Sequence, residues 1–307
     1  MKKIIYIMLA IILTVSVFML TGCETDSTQN DKGKFKIATS FYPMYIATLN
    51  ITKDIDSVTV TNMTDEELGC AHNYTLKASD LVKLEDADIL IQNGKGVEPF
   101  IDKVKETYPN LNIVDSSKNL QTVYKHDHGD NAHVWVNTEN YIEQVKAITN
   151  ELCTYNPENV DKYKENSQNY IDRIQKIQEK LKINNKITAV TFEESFEYLQ
   201  NDKFQITCIE TNHEESSLSA EQLSSLVDKM KNENIKYILV QKGEENKNAQ
   251  VLASETGATI YELDAYTKGT VGENAYIDAL EDNIQTINKM GEKYDTRQEN
   301  VQSVSLY

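Results

Sequence analysis

Basic residues are the first shortage in this sequence. Lysine and arginine number 31 against 48 aspartates and glutamates, so the net charge is −17. Nucleic acids require basic patches that neutralise their phosphates, and this balance therefore argues against DNA or RNA as a partner. An acidic surface is compatible with the attraction of cations. At 307 residues, the chain is long enough for two domains whose cores need no disulfide bonds.

Cysteine is also scarce, with four residues in the whole chain. Cys70, Cys153 and Cys208 are widely spaced and odd in number, which does not fit a disulfide framework. Three thiols leave room for one bridge at most. Cys153 and Cys208 fit better as small buried apolar residues on a helix and a strand.

The N-terminus has the pattern of a secretory signal. Lys2 and Lys3 precede the apolar run Ile4–Leu20, and Leu20-Thr21-Gly22-Cys23 follows. This ending resembles the bacterial lipobox, so residues 1–22 are interpreted as a lipoprotein signal peptide with Cys23 as the lipid-modified residue. An uncleaved membrane anchor is the alternative, because the apolar run is at the lower limit for spanning a bilayer.

Apolar side chains are missing from residues 24–34, and such a composition cannot build a core. Residues 23–34 are therefore predicted to be a flexible tether, with folded structure starting at Phe35. From there, short apolar runs of the buried-strand type alternate with amphipathic helical patterns. The predicted strands are Phe35–Thr39, Val58–Val60, Asp88–Gln92, Leu111–Val114, Ile187–Val190, Phe204–Ile209, Ile235–Val240 and Thr259–Leu263.

Between the fourth and the fifth predicted strand, the stretch from Pro157 to Lys182 contains no glycine and has apolar residues at helical spacing. At about 39 Å, this helix is long enough to join two lobes, although an ordinary long surface helix is the alternative. The alternation predicts an α/β fold with two parallel-sheet lobes, residues 35–154 and 185–307, and a linking helix, residues 155–184. A closing helix is predicted over Ala275–Met290.

Histidine is rare, yet three of the five histidines fall within eight residues: His126, His128 and His133. Imidazole is the commonest metal ligand of proteins. The pattern fits a polar arm that captures metal, through His126 and His128, beside a fixed His133 that starts the run Val134-Trp135-Val136. A solvated acidic loop followed by one histidine in a packed environment explains the same residues.

Ligands of parallel-sheet proteins bind at the carboxyl ends of strands. Four residues with metal-binding side chains lie just after predicted strands or the histidine-rich arm: His72, His133, Glu193 and Asp264. Two imidazoles and two carboxylates suit zinc, manganese or iron. From the residues alone, His72 and Asp264 are better explained as loop polar residues or helix caps than as ligands, and Glu193 is explained equally well as an acid near a helix N-terminus.

Several motifs together resemble the zinc/manganese (cluster A-I) solute-binding proteins of bacterial ABC importers. The first motif comprises Gly69-Cys70-Ala71-His72-Asn73-Tyr74, Ala78-Ser79-Asp80 and Gly96-Val97-Glu98. His133-Val134-Trp135, Glu193 with Phe196, and Leu263-Asp264 match the second, third and fourth ligand motifs. The resemblance implies His72, His133, Glu193 and Asp264 as metal ligands between two lobes, and delivery of the metal to an ABC permease and its ATPase.

The expected function is therefore that of a monomeric, lipid-anchored receptor outside the cell, which carries Zn²⁺ or Mn²⁺ and is not an enzyme. Glu193 stands where many zinc members have histidine and favours manganese, whereas the His126/His128 arm favours zinc. Zinc is preferred slightly. The family has no thiolate ligand at the position of Cys70, so Cys70 is not expected to bind the metal.

Two other functions are compatible with the residues. One is a secreted zinc hydrolase with Glu194 as general base, although no His-Glu-x-x-His motif is present. The other is a surface adhesin, for which the sequence offers no positive feature.

Overall fold

Two four-stranded parallel sheets form the framework of the protein. The computed structural model describes residues 33–65, 68–122, 124–126, 129–209 and 218–304. Its strands are β1 Phe35–Thr39, β2 Val58–Asn62, β3 Ile89–Gln92, β4 Asn112–Asp115, β5 Lys125–His126, β6 Gly129–Asp130, β7 Ile187–Thr191, β8 Phe204–Cys208, β9 Tyr237–Gln241 and β10 Thr259–Leu263. The first sheet has the order β2-β1-β3-β4 and the second the order β10-β9-β7-β8. The predicted α/β class with two parallel-sheet lobes is confirmed.

Helices connect the parallel strands, as crossover connections require. They are α1 Tyr42–Ile51, α2 Ala78–Val82, α3 Ile101–Thr107, α4 Thr138–Tyr155, α5 Val160–Gln178, α6 Ala220–Asn232, α7 Lys247–Thr256 and α8 Ala275–Val304. Short 3₁₀ turns cover Ala71–Asn73, Val134–Val136, Pro157–Asn159 and Glu194–Leu199. None of the helices in these described ranges combines the length and the apolar character that crossing a bilayer requires.

The connecting helix α5 is shorter than the predicted helix from Pro157 to Lys182. Pro157 starts a separate 3₁₀ turn, and α5 itself ends at Gln178. Beyond this end, the side chain of Asn288 donates to the carbonyl of Lys180 and accepts from the backbone N–H of Lys182. These two bonds satisfy backbone groups that further helical turns would have used.

The last helix, α8, also bridges the two lobes. Tyr276 and Leu280 pack in the core of the first lobe, whereas Ile287 and Met290 pack in the core of the second. The helix continues to Val304, beyond the predicted end at Met290, and no proline interrupts residues 291–304. Two helices rather than one therefore tie the lobes together.

The strand β1 begins at Phe35, where the composition predicts the fold to start. Residues 1–32, which include the predicted signal peptide, Cys23 and most of the tether, lie outside the described residues. The domain limits 1–22, 23–34, 35–154, 155–184 and 185–307 stay predictions.

Candidate metal site

The first part of the site is the loop that follows β2. His72 lies in the 3₁₀ turn Ala71–Asn73, and Ala71 is fully buried beneath it. The buried carboxylate of Asp80 fixes the loop from below, because it accepts from the Tyr74 hydroxyl at 2.6 Å and from the backbone N–H of Lys77 at 2.8 Å. The sequence therefore holds His72 on a short, anchored loop.

The second part is His133, which precedes the 3₁₀ turn Val134–Val136. His133 is 4% exposed, and its ring lies 5.1 Å from that of Trp135, centre to centre. Trp135 is fully buried, packs edge-on against Phe41 and donates from Nε1 to the carbonyl of Ala265 in the second lobe at 2.9 Å. His133 is thus fixed close to the boundary between the lobes.

Cys70 brings a sulfur atom between the two imidazoles. Its Sγ lies 3.1 Å from His72 Nδ1 and 3.3 Å from His133 Nε2, and the two rings are 4.9 Å apart. The ligand atoms of Cys70, His72 and His133 all lie within 4.8 Å of one another. Within the described part of the chain, this is the one cluster of three or more such groups that could hold a metal ion.

Asn131 orients the ring of His133. The Asn131 amide nitrogen donates to the carbonyl of Glu194 at 2.9 Å and to the Glu197 carboxylate at 3.0 Å, so its oxygen must face His133. That oxygen lies 2.8 Å from His133 Nδ1. Because an amide oxygen only accepts, Nδ1 carries the proton and the lone pair of Nε2 points to Cys70. This is the partner that a metal-bound histidine needs on its other nitrogen.

Replacing Asn131 by alanine is expected to weaken metal binding by about 10- to 100-fold, as losses of such orienting partners do. The ring would lose its fixed tautomer while every candidate ligand remained. Competition against a chromophoric chelator measures the change. Asn137→Ala is the matched control, since Asn137 also contacts the second lobe, through the carbonyl of Tyr198, but caps α4 rather than His133. Equal loss in both variants would mean that Asn131 serves only to hold the lobes.

Burial and charge set the state of the Cys70 thiol. Although Cys70 is exposed as a residue, the enclosure of its sulfur raises the pKa of the thiol to about 12. The carboxylates of Glu193 and Glu194 raise this pKa further, so both acids lie within electrostatic range of the sulfur. The metal-free site therefore holds a protonated thiol beside acidic groups that attract a cation.

Glu193 follows β7 in the second lobe, and burial raises the pKa of its carboxyl. Its Oε1 accepts from the backbone N–H of Ser195 at 3.4 Å, so it caps the 3₁₀ turn Glu194–Leu199. This capping role is the alternative that the sequence leaves open. Glu193 is near Cys70 but outside the cluster of three, and its role as a ligand stays a prediction.

Asp264 directly follows β10 and is outside the cluster of Cys70, His72 and His133. Its Oδ1 accepts from the backbone N–H of Tyr266 at 2.7 Å. Burial raises the pKa of Asp264, and the ammonium groups of Lys242 and Lys268 oppose that rise. The residue lines a cavity of about 580 Å³ that also contacts Tyr42 of the first lobe. The structure does not bring Asp264 into the cluster, and its role as fourth ligand stays a prediction.

The predicted capture arm begins as a short hairpin. The two-residue strand β5 pairs antiparallel with β6, with His126 opposite Gly129. For His126 the structure describes the backbone alone, and His128 lies outside the described residues. The capture role of these two histidines stays a prediction.

The donor set suits a divalent transition metal. Two imidazole nitrogens and a sulfur converge, and two carboxylates lie close by on the second lobe. Imidazole and thiolate are ligands of borderline-soft ions such as Zn²⁺, and a cluster without a catalytic histidine–glutamate helix motif suits binding rather than hydrolysis.

Two parallel-sheet lobes, with side chains of the metal-ligand type converging in one cluster, are typical of two-lobed solute-binding proteins. The chain belongs to the family described as "ZnuA: Zinc-uptake complex component A periplasmic", whose model matches residues 37–290. The predicted resemblance to zinc/manganese solute-binding proteins is therefore confirmed, as is the prediction that the chain is not an enzyme.

Some relatives of the chain are named for manganese and others for zinc. The chain is 24% identical to the manganese-binding lipoprotein MntA of Halalkalibacterium halodurans, over 93% of this chain and 98% of that protein. It is also 24% identical to the high-affinity zinc uptake system protein ZnuA of Bacillus subtilis, over 90% and 95%. Among solved structures, the solute-binding protein FpvC of Pseudomonas aeruginosa in complex with Mn²⁺ has a TM-score of 0.76 at 20% identity, covering 85% of this chain and 99% of that one.

Sequence reasoning missed two residues of the site. The family pattern has no thiolate at the position of Cys70, although this residue lies only two positions before the candidate ligand His72. Asn131 had no signal of its own, because an asparagine in a polar loop is common.

Proposed function

We propose that this protein is an extracytoplasmic receptor that captures Zn²⁺, or secondarily Mn²⁺, and delivers it to an ABC permease driven by its ATPase. The observation that carries this proposal is the convergence of His72, His133 and Cys70 in a chain of the zinc-uptake family. The metal is the cargo of the protein. The alternatives of a secreted hydrolase and an adhesin gain no support from the family match.

The location of the site supports a role in transport. Cys70, His72 and His133 belong to the first lobe, and the nearby Glu193 and Glu194 to the second. An ion attracted by both sets would stabilise one arrangement of the lobes over others, because ligands shift a conformational equilibrium towards the state that they bind better. A permease could then distinguish loaded from empty receptor.

Attachment to the membrane is part of the same proposal. Residues 1–22 would be removed and Cys23 would carry the lipid, with residues 23–34 as a tether to a monomeric body. Relatives named as lipoproteins support this arrangement. Incorporation of labelled fatty acid that persists in Cys23→Ser would contradict it.

The metal is tested by competition. We expect the metal-stripped protein, equilibrated with equal concentrations of Zn²⁺, Mn²⁺ and Fe²⁺, to retain one zinc ion per chain, because zinc has the highest intrinsic affinity of the three. Elemental analysis after gel filtration measures the retained metal. Retention of manganese instead would show that the carboxylates dominate the site. If no metal is retained in stoichiometric amount, the receptor function is wrong.

A further inference from the structure

We propose that Cys70 is a direct ligand of the captured ion: its thiol proton is released to water as the metal–sulfur bond forms, and the thiolate donor makes the site selective for Zn²⁺ over Mn²⁺. This inference rests on the proposed function and adds a ligand that the family pattern does not contain. It depends on the geometry of three side chains rather than on the pattern of the motif.

The distances around the sulfur fit a shared ion. Zn–S and Zn–N bonds of about 2.3 and 2.0–2.1 Å place sulfur and nitrogen about 3.6 Å apart on a tetrahedral zinc ion. In the structure, Cys70 Sγ is 3.1 and 3.3 Å from the nitrogens of His72 and His133. Each contact would need to widen by no more than about half an ångström for an ion to enter.

The surroundings of Cys70 differ from those of a structural cysteine. A cysteine that only fills space is buried among apolar groups. Cys70 is exposed as a residue, and its sulfur contacts the same His133 nitrogen whose lone pair Asn131 directs to it. Cys153, by contrast, contacts the backbone carbonyl of Val160 at 3.9 Å. The sulfur of Cys70 thus occupies the position of a ligand.

Selectivity follows from the donor type. Thiolates are soft ligands that favour zinc, whereas manganese prefers carboxylate, carbonyl and water oxygens. The carboxylate of Glu193 favours manganese, but Glu193 lies outside the cluster of converging ligand atoms, whereas Cys70 lies within it. The sulfur therefore outweighs the carboxylate in setting the preferred metal.

Cobalt absorption tests the ligand directly, since Co²⁺ enters zinc sites and a cobalt–thiolate bond gives an intense charge-transfer band in the near ultraviolet. The purified protein would carry Cys23→Ser so that three thiols remain. We expect one equivalent of Co²⁺ to produce the band, Cys153→Ser to retain it, and both Cys70→Ser and Cys70→Ala to lose it. Circular dichroism of each variant establishes that the fold is intact.

The same variants test selectivity. In Cys70→Ser, the ratio of zinc to manganese affinity is expected to fall by at least about tenfold, which is the smallest effect typical of changes around a bound metal. Stoichiometric cobalt binding without the band would overturn the thiolate ligand and leave the receptor function standing. An unchanged affinity ratio would overturn the selectivity. Absence of any metal binding would overturn both this inference and the proposed function.

Discussion

Zinc affinity falls by about 100-fold or more in His133→Ala, and by a similar factor in His72→Ala, because each change removes an imidazole donor and not merely its support. The surroundings of His133 fix its position. It is buried, its Nε2 lone pair is directed by Asn131, and its neighbour Trp135 reaches the second lobe through Ala265. Loss of its ring also leaves a cavity beside Trp135.

Competition with a chromophoric chelator measures these affinities, and thermal unfolding of the metal-free variants separates loss of a ligand from loss of structure. His133→Gln serves as a second variant that keeps more of the buried volume. The comparison variant is His126→Ala on the predicted arm, which should slow capture at low metal concentration and bind normally at saturation. If His126→Ala abolished binding at saturating metal, the division between arm and site would be wrong.

Much of the fold could be predicted because both faces of a parallel sheet are buried, so that its strands are short, continuous apolar runs. The run Ile89-Leu90-Ile91 is fully buried, and the predicted limits of β1 and β10 match the structure. Two predicted helix limits differ from the structure. The linking helix ends at Gln178 rather than Lys182, and the closing helix continues from Met290 to Val304.

The site was harder to predict because it depends on contacts between distant parts of the chain. His72 and His133 were identified by residue type and by resemblance, and the structure places them together. The contact between Cys70 and His133 joins residues 63 positions apart, which no local pattern encodes. The same holds for α8, whose apolar face is uniform in sequence although it packs against two different cores.

A buried acid, Glu98, supports the first lobe beneath the site. Its carboxylate accepts from the Ser40 hydroxyl at 2.7 Å and from the backbone N–H groups of Asn93 and Gly94 at 2.6 and 3.1 Å. The side chain of Asn93 in turn donates to the carbonyl of Ala132, the residue before His133. Glu98 therefore holds the turns after β1 and β3 and, through Asn93, the approach to the metal ligand.

Complete burial raises the pKa of Glu98 to about 7, with a smaller contribution from the charge of Asp115, although its three hydrogen bonds oppose the shift. A carboxyl whose pKa is raised on folding binds its proton more tightly in the folded state. Its contribution to stability is therefore fully present below its unfolded pKa and is lost as the pH rises through about 7. The loss amounts to about 2–3 kcal/mol between about pH 5 and about pH 8.

Glu98→Gln removes this titration. At about pH 5 the variant should be less stable than the parent, because its amide N–H groups cannot accept a hydrogen bond from the backbone N–H of Gly94. This difference should shrink by about 2–3 kcal/mol towards about pH 8, because only the parent loses stability as Glu98 ionises. Urea unfolding at several pH values measures the difference. Glu106→Gln is the matched control, since Glu106 is an exposed acid on α3 whose surface ion pair with Lys103 contributes little. The contrary outcome is that the stability difference between each variant and the parent does not change with pH. Glu98 would then have an ordinary pKa and be ionised in the folded protein. Its three hydrogen-bond donors would have to offset the cost of burying that charge.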